Sequence, residues 1–235
     1  MLQGKTLLAA SLVFVLTSFN AQATLTSETV NGQNLVYNSG NNTTWTSDAN
    51  LLGTWEAANP SIISTIITAE AAAINTAYGH SLSASDFGTG GGVRWWSAQA
   101  YVDYLNKIDY GNSTQWALPT SNAVSGYDNG SQLGELFYNE LGGTAGGSIP
   151  TNSLFTNEQL SAYWSGTEYA SYPSYVWGFD TSNGVQSGYS KDVQLYAWAV
   201  SPGQVNAAVP EPSIAWMLLT GLVGLLGLKR RGHAG

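Results

Sequence analysis

His80 is the one histidine between the two terminal segments; the other, His233, lies in the C-terminal tail. A single imidazole does not build a multi-histidine metal centre. It could join a serine and an aspartate in a nucleophilic set, but no Gly-x-Ser-x-Gly elbow accompanies it. The reading preferred is a polar residue placed just after a helix C-terminus, where partial positive charge suits the dipole. Glu168, Asp180, Asp192 and Asp128 fall in or near loops of the C-terminal half, where they could ligate calcium together with Asn carbonyls. No loop carries the spaced D-x-D-x-D-G pattern, and solvated surface charge explains these acids as well. No two carboxylates are singled out as a glycosidase pair. The chain has no cysteine, which removes thiol nucleophiles and thiolate metal sites. No catalytic residue, no metal centre and no cofactor is expected, with calcium at the loop acids left open.

The aromatic residues carry more. Trp45, Trp95, Trp96, Trp116, Trp164, Trp177 and Trp198 are expected in the core, each burying a large apolar area with an N–H that needs a partner. Tyr169, Tyr172, Tyr175 and Tyr189 stand in or beside loops, near Pro173 and several glycines. Exposed there, they could stack on the C–H faces of sugar rings, and they are the candidate glycan-binding residues.

The elements that must position these groups lie between two specialised ends. Residues 1–23 read as a secretory signal peptide. Lys5 is the positive start, Leu7 to Leu16 the apolar stretch, and Ala21-Gln22-Ala23 places small residues where signal peptidase cuts. At the other end, spacer 204–212 closes on Pro210-Glu211-Pro212. Ser213 to Leu228 follows without a charge, and Lys229-Arg230-Arg231 comes next. As a helix, this run would span about 24 Å, slightly short of a ~30 Å hydrocarbon core. Lysine and arginine snorkelling would cover the difference, and the basic cluster would stay cytoplasmic, leaving the remainder outside. Residues 213–235 are therefore expected to form a transmembrane tail, either kept as an anchor or cut.

Between the ends, 24–208 holds 3 basic residues, Arg94, Lys107 and Lys191, against 14 acidic ones, a net charge of −11. Such a surface repels phosphate backbones, so no nucleic acid is expected as a partner. The segment is long enough for one domain and too aromatic for a disordered acidic chain.

Local patterns predict an α+β single domain, helices followed by antiparallel strands. Short strands are expected at Leu35-Val36-Tyr37 and Thr43 to Thr46, after a polar stretch from Thr24 to Asn34. Asn59 as N-cap and Pro60 open the clearest helix, ended by Gly79. Ser85 to Gly92 reads as a flexible glycine-rich loop, a linker or a turn. A second helix, capped by Ser97, buries Ala98, Tyr101, Val102, Leu105 and Ile108. Trp116 to Thr120 is a short buried strand, and Leu133, Leu136, Phe137 and Leu141 mark a third helix. Strands follow at Ala162 to Tyr169, Tyr175 to Asp180, Val185 to Tyr189 and Leu195 to Val200, with a turn at Ser182-Asn183-Gly184.

Two resemblances attach to these segments. The tail, Pro210-Glu211-Pro212 then an apolar span then a basic end, resembles the PEP-CTERM sorting signal. That resemblance implies an exosortase as processing partner, a Gram-negative producer of exopolysaccharide, and an inner-membrane intermediate. The end point is the cell surface or extracellular matrix. The domain 24–203 resembles the Legionella collagen-like protein C-terminal (Lcl C-terminal) domain family. The resembling pieces are Leu35-Val36-Tyr37 with Thr44-Trp45-Thr46, Trp96 to Tyr101, Trp116 to Thr120, Tyr163 to Tyr169, Tyr175-Val176-Trp177 with Asn183-Gly184, and Tyr196 to Val200. The family is similar to C-type-lectin-like folds, and some members are linked to glycan adhesion. Many relatives carry cysteines at positions falling on Val102 and Ala199, and Arg where Ala117 stands.

These patterns together imply an exported surface or matrix protein, non-enzymatic, with carbohydrate binding, exopolysaccharide above all, as its expected role. An acid–base hydrolase of the lectin-like superfamily and a purely structural surface module are the alternatives.

Overall fold

The computed structural model describes residues 25–205. The signal-peptide segment with Ala21 and Ala23, the Pro210-Glu211-Pro212 motif and the apolar tail lie outside the described residues. Asn31 and Gly32, both at positive φ (50° and 77°), form the tight turn of the first hairpin. That hairpin pairs β1 (Leu25–Val30) with β2 (Gln33–Asn38), so the polar stretch before Asn34 is largely a strand. It was hidden because its alternating side chains are mostly Thr, Ser and Glu facing solvent. β3 (Thr43–Thr46) pairs with β2 on one side and with β8 (Val200–Pro202) on the other. The resulting four-stranded antiparallel sheet has the order β1-β2-β3-β8 and joins the two ends of the domain.

Four helices follow β3. α1 (Leu51–Ala58) was not expected; it buries Leu51, Leu52 and Gly53. α2 (Ile62–Tyr78) starts two residues beyond the expected Pro60. Asn59 instead ends α1 and accepts the Ser61 N–H (3.2 Å) and hydroxyl (2.6 Å), turning the chain between helices. Gly79, at φ +66°, closes α2 as expected. α3 (Trp95–Lys107) is preceded by Arg94, and Ser97 lies inside its first turn rather than capping it. The Ser97 hydroxyl donates to the carbonyls of Asp86 (2.6 Å) and Arg94 (2.9 Å). Ala98, Tyr101, Val102 and Leu105 are buried, whereas Ile108 lies past the helix end and is 43% exposed. α4 (Gln132–Glu135) runs into a π-helical turn, Leu136–Glu140, and Gly142 ends it at φ +72°.

Of the two readings of the glycine-rich segment, linker or turn, the structure shows the turn: short 3-10 turns cover 84–86 and 89–91. Asn50 Nδ2 donates to the Gly90 carbonyl (3.0 Å) and the Gly91 N–H to Glu56 (3.2 Å), strapping it to α1. Gly91 has φ +87°, and a Cβ there would meet Asn50 Oδ1 at 2.1 Å.

The second antiparallel sheet, ordered β4-β7-β6-β5, contains β4 (Gly126–Tyr127), β5 (Ala162–Glu168), β6 (Tyr175–Asp180) and β7 (Val185–Ser190). β6 and β7 meet at the expected turn, where Gly184 alone takes positive φ. The stretch before β8 is not a continuous strand: Leu195 bridges Val93, Tyr196 bridges Tyr163 and Val200 bridges Ala117. Trp116 to Thr120 likewise contributes one bridge rather than a strand. The architecture is therefore α+β, but strands precede the helices as well as follow them, correcting the helices-first order. Among the described residues no helix is long and apolar enough to cross a membrane.

Buried tryptophans hold the elements together. The indole N–H groups of Trp95, Trp164, Trp198 and Trp116 donate to the carbonyls of Ser165 (3.0 Å), Val93 (2.7 Å), Thr46 (2.9 Å) and Tyr110 (2.8 Å). Each satisfies its donor while burying a large apolar ring. Trp96 is the exception among the expected core tryptophans, being only partly buried.

Candidate functional site

β5 and β6 are joined by residues 169–174, a loop closed on itself. Tyr169 N–H donates to the Tyr175 carbonyl (3.0 Å), Tyr172 N–H to Tyr169 (3.0 Å), and Tyr175 N–H to Tyr172 (2.8 Å). Lys191 N–H, just after β7, donates to the Ser174 carbonyl (2.9 Å) and ties the loop to the neighbouring strand. Backbone satisfaction of this kind sets the loop before any ligand arrives, lowering the ordering cost of binding.

On this support the aromatic rings gather. Tyr169 stacks on the buried Trp177 with centroids 4.7 Å apart and planes at 25°. It lies against Gly188, where a Cβ would come within 3.0 Å of its ring. Tyr172, 62% exposed, stands 5.9 Å from Tyr169 and 6.2 Å from Tyr175. The three tyrosines, with Ser125, Ser187 and Gly188, line a cleft of about 370 Å³. That size is in the range of small-ligand sites. No lining residue is charged. The cleft offers π faces for apolar C–H surfaces and hydroxyls for hydrogen bonds, the two features that hold a neutral, polyhydroxylated ring.

Tyr189 does not join them. Gly188 lies under the Tyr169 ring, whereas the Tyr189 ring lies over Gly178 of β6, where a Cβ would come within 2.9 Å of it. The Tyr189 ring meets Trp164 edge to face at 6.4 Å and packs against the core. Burial, and secondarily Asp180, pushes its phenol pKa up. Of the four candidates, the structure brings three together. Ser125 and Ser187 gave no sequence signal, since serines are common throughout the chain.

The loop acids do not share one site. Asp180 accepts from the Ser182 N–H (2.9 Å) and hydroxyl (2.6 Å) within its own turn. Asp128 accepts from Asn122 and from the Gly130 N–H within another. Glu168 pairs with Lys191 at 2.8 Å. Among the described residues no group of three His, Asp or Glu side chains is arranged to hold a metal ion. Calcium, which takes six or more oxygens, finds no such group among these four acids.

His80 has a more specific setting than a helix end. Its ring lies flat on Trp96, centroids 3.9 Å apart and planes at 3°. Its Nε2 is 3.2 Å from Asp86 Oδ1, which also faces Arg94 Nη1 at 3.3 Å. Asp86 Oδ2 accepts from the Ser83 N–H (2.8 Å) and hydroxyl (2.9 Å). Serine, histidine and aspartate are thus all present, but the carboxylate is the hub. The serine hydroxyl bonds the carboxylate and not the imidazole, so no nucleophile is activated. Burial raises the Asp86 pKa; hydrogen bonds from Ser83 and the contact with His80 outweigh it and hold the group below its ordinary value.

Glu135 is the other perturbed acid. It accepts from Asn38 Nδ2 (3.0 Å) and Asn41 Nδ2 (2.8 Å), linking α4 to the β2–β3 turn. Burial, together with Glu140 beside it, pushes its pKa up to about 7, against an opposing contribution from Asn38.

The Lcl C-terminal domain model matches residues 34–201, from β2 to β8. The chain belongs to the Lcl C-terminal domain family. No curated protein and no solved structure matches it. The family match begins inside the first sheet and ends in its last strand, so it takes in the tyrosine cleft, the Asp86 hub and the second sheet whole. Val102 and Ala199, which the family resemblance singles out, are 2% and 0% exposed within one apolar cluster.

Proposed function

We propose that this Lcl C-terminal domain protein is an exported, non-enzymatic protein of the cell surface or extracellular matrix that binds glycan through the tyrosine cleft. The observation that carries the proposal is the convergence of Tyr169, Tyr172 and Tyr175 on one uncharged cleft behind a self-bonded loop. Export rests on the sequence of the ends: a charge, apolar run and Ala21-Gln22-Ala23 in front, and the PEP-CTERM-like Pro210-Glu211-Pro212 tail behind. A signal peptidase and an exosortase are the processing partners, and the producer's own exopolysaccharide is the first ligand to test. The helices with antiparallel sheets agree with a C-type-lectin-like fold, which the family resemblance implies.

Retention on immobilised exopolysaccharide and on a neutral glycan array tests the binding. Wild-type chain is expected to be retained, and Tyr172→Ala to lose about tenfold in affinity, the ~1–3 kcal/mol scale of one stacking aromatic. Equal retention of the two proteins, or none by either, removes the cleft from the account.

The hydrolase alternative has one group behind it, Glu135, whose pKa of about 7 suits a general acid. Its carboxylate is taken up by two asparagine amides, which gives it a structural task. Glycan-hydrolysing activity that disappears in Glu135→Gln would favour that alternative.

A further inference from the structure

A second cleft, of about 420 Å³, adjoins the same loop. Its lining includes Tyr78, Trp96, Glu168, Ser174, Lys191 and Asp192. The loop is a shared wall: Tyr169, Tyr172 and Tyr175 belong to the first cleft, and Glu168, Pro173 and Ser174 to the second. A ligand longer than one ring could therefore touch both.

The chemistry of the second cleft differs from that of the first. Its single cation is already engaged. Lys191 is 8% exposed, its Nζ is 2.8 Å from Glu168 Oε2, and it lies 4.4 Å from the centre of the Trp95 ring. Asp192 is exposed and forms no ion pair among the described residues. Two carboxylates against one lysine leave the cleft at −1, within a segment carrying −11. Trp96 adds an aromatic wall whose plane is fixed by its stack on His80. A free carboxylate beside a fixed indole favours a cation, through Coulomb attraction and the ring quadrupole. An anionic sugar would meet repulsion there, with no free lysine to offset it.

We infer that this second cleft binds a protonated amine carried on a sugar ring, as in an N-deacetylated hexosamine. A glycan crossing the loop is then held with one neutral ring on the tyrosines and an amine-bearing ring beside Asp192 and Trp96. The inference rests on the glycan binding proposed above.

The test titrates the full chain with glucosamine and, separately, with N-acetylglucosamine at mildly acidic pH, reading the Trp96 indole N–H by NMR. Glucosamine is expected to shift that resonance with at least about fivefold higher affinity than N-acetylglucosamine, and Asp192→Asn to abolish the difference, as loss of one exposed charge contact allows. Added salt should weaken the glucosamine shift and leave the N-acetylglucosamine response alone. Equal responses to the two sugars, no response to either, or a preference that survives Asp192→Asn overturns the inference. Retention on neutral glycans is read separately, so failure of the amine site leaves the tyrosine cleft standing, and failure of neutral retention is seen apart from the glucosamine preference.

Discussion

Asp86 is the residue with most to lose. At 1% exposure it accepts from Ser83 and faces His80 and Arg94. Replacing it with Ala leaves those donors and charges without their acceptor, and the expected cost is about 3 kcal/mol in urea denaturation. The pH dependence follows from its lowered pKa. Stability from this group is present above the unfolded-state value and is lost as pH falls through the folded one, so Asp86→Asn should flatten the acid limb of the unfolding curve. Glu135 runs the other way. Its folded pKa of about 7 exceeds the ordinary 4.5, so the folded state holds its proton more tightly and stability declines as pH rises between those values. Glu135→Gln, which mimics the protonated form, should raise Tm at pH 8 and leave it nearly unchanged at pH 4. The two tyrosine environments also separate by measurement. Tyr189→Ala is expected to lower stability by about 2–4 kcal/mol, as for a half-buried aromatic, whereas Tyr172→Ala should cost binding and little stability. From sequence alone these four tyrosines were equivalent, because only the strand register, with Gly188 under the Tyr169 ring, tells Tyr189 from Tyr169.

At the scale of elements, legibility followed the local signals. Gly79, Gly142 and the Asn183-Gly184 turn ended or joined elements as their types predict, because a positive φ is a local demand that glycine meets. β1 gives little strand signal although its turn, Asn31-Gly32, is the same dipeptide as Asn183-Gly184, since the strand is largely Thr, Ser and Glu. α1 gives little local signal because it is short and carries Gly53 inside it. In the glycine-rich segment composition leaves linker and turn open, because close approach to α1 demands glycine as much as flexibility does. Gly91→Ala, with its Cβ driven onto Asn50 at φ +87°, should cost about 2 kcal/mol or more in thermal unfolding.

The whole molecule stands without thiols, its sheets and helices joined by tryptophans whose indoles reach backbone carbonyls in distant segments. That much was foreseeable from an aromatic-rich, cysteine-free chain; which carbonyl each indole meets depends on long-range packing. Val102 and Ala199 share one apolar cluster. The family resemblance implies that Val102→Cys with Ala199→Cys can close a disulfide, and a gain of about 2–4 kcal/mol in non-reducing denaturation would show it. Persistent free thiols in the double variant would argue against the equivalence. The same packing leaves one face of the second sheet to the loop that carries the tyrosines, and the account of function depends on how a sugar lies there. Saturation-transfer NMR, irradiating tyrosine ring protons with a neutral oligosaccharide bound, addresses that directly. Strongest transfer to the axial C–H protons of one ring, lost in Tyr172→Ala, is the predicted result; uniform transfer along the sugar, or a pattern unchanged by the substitution, would contradict it.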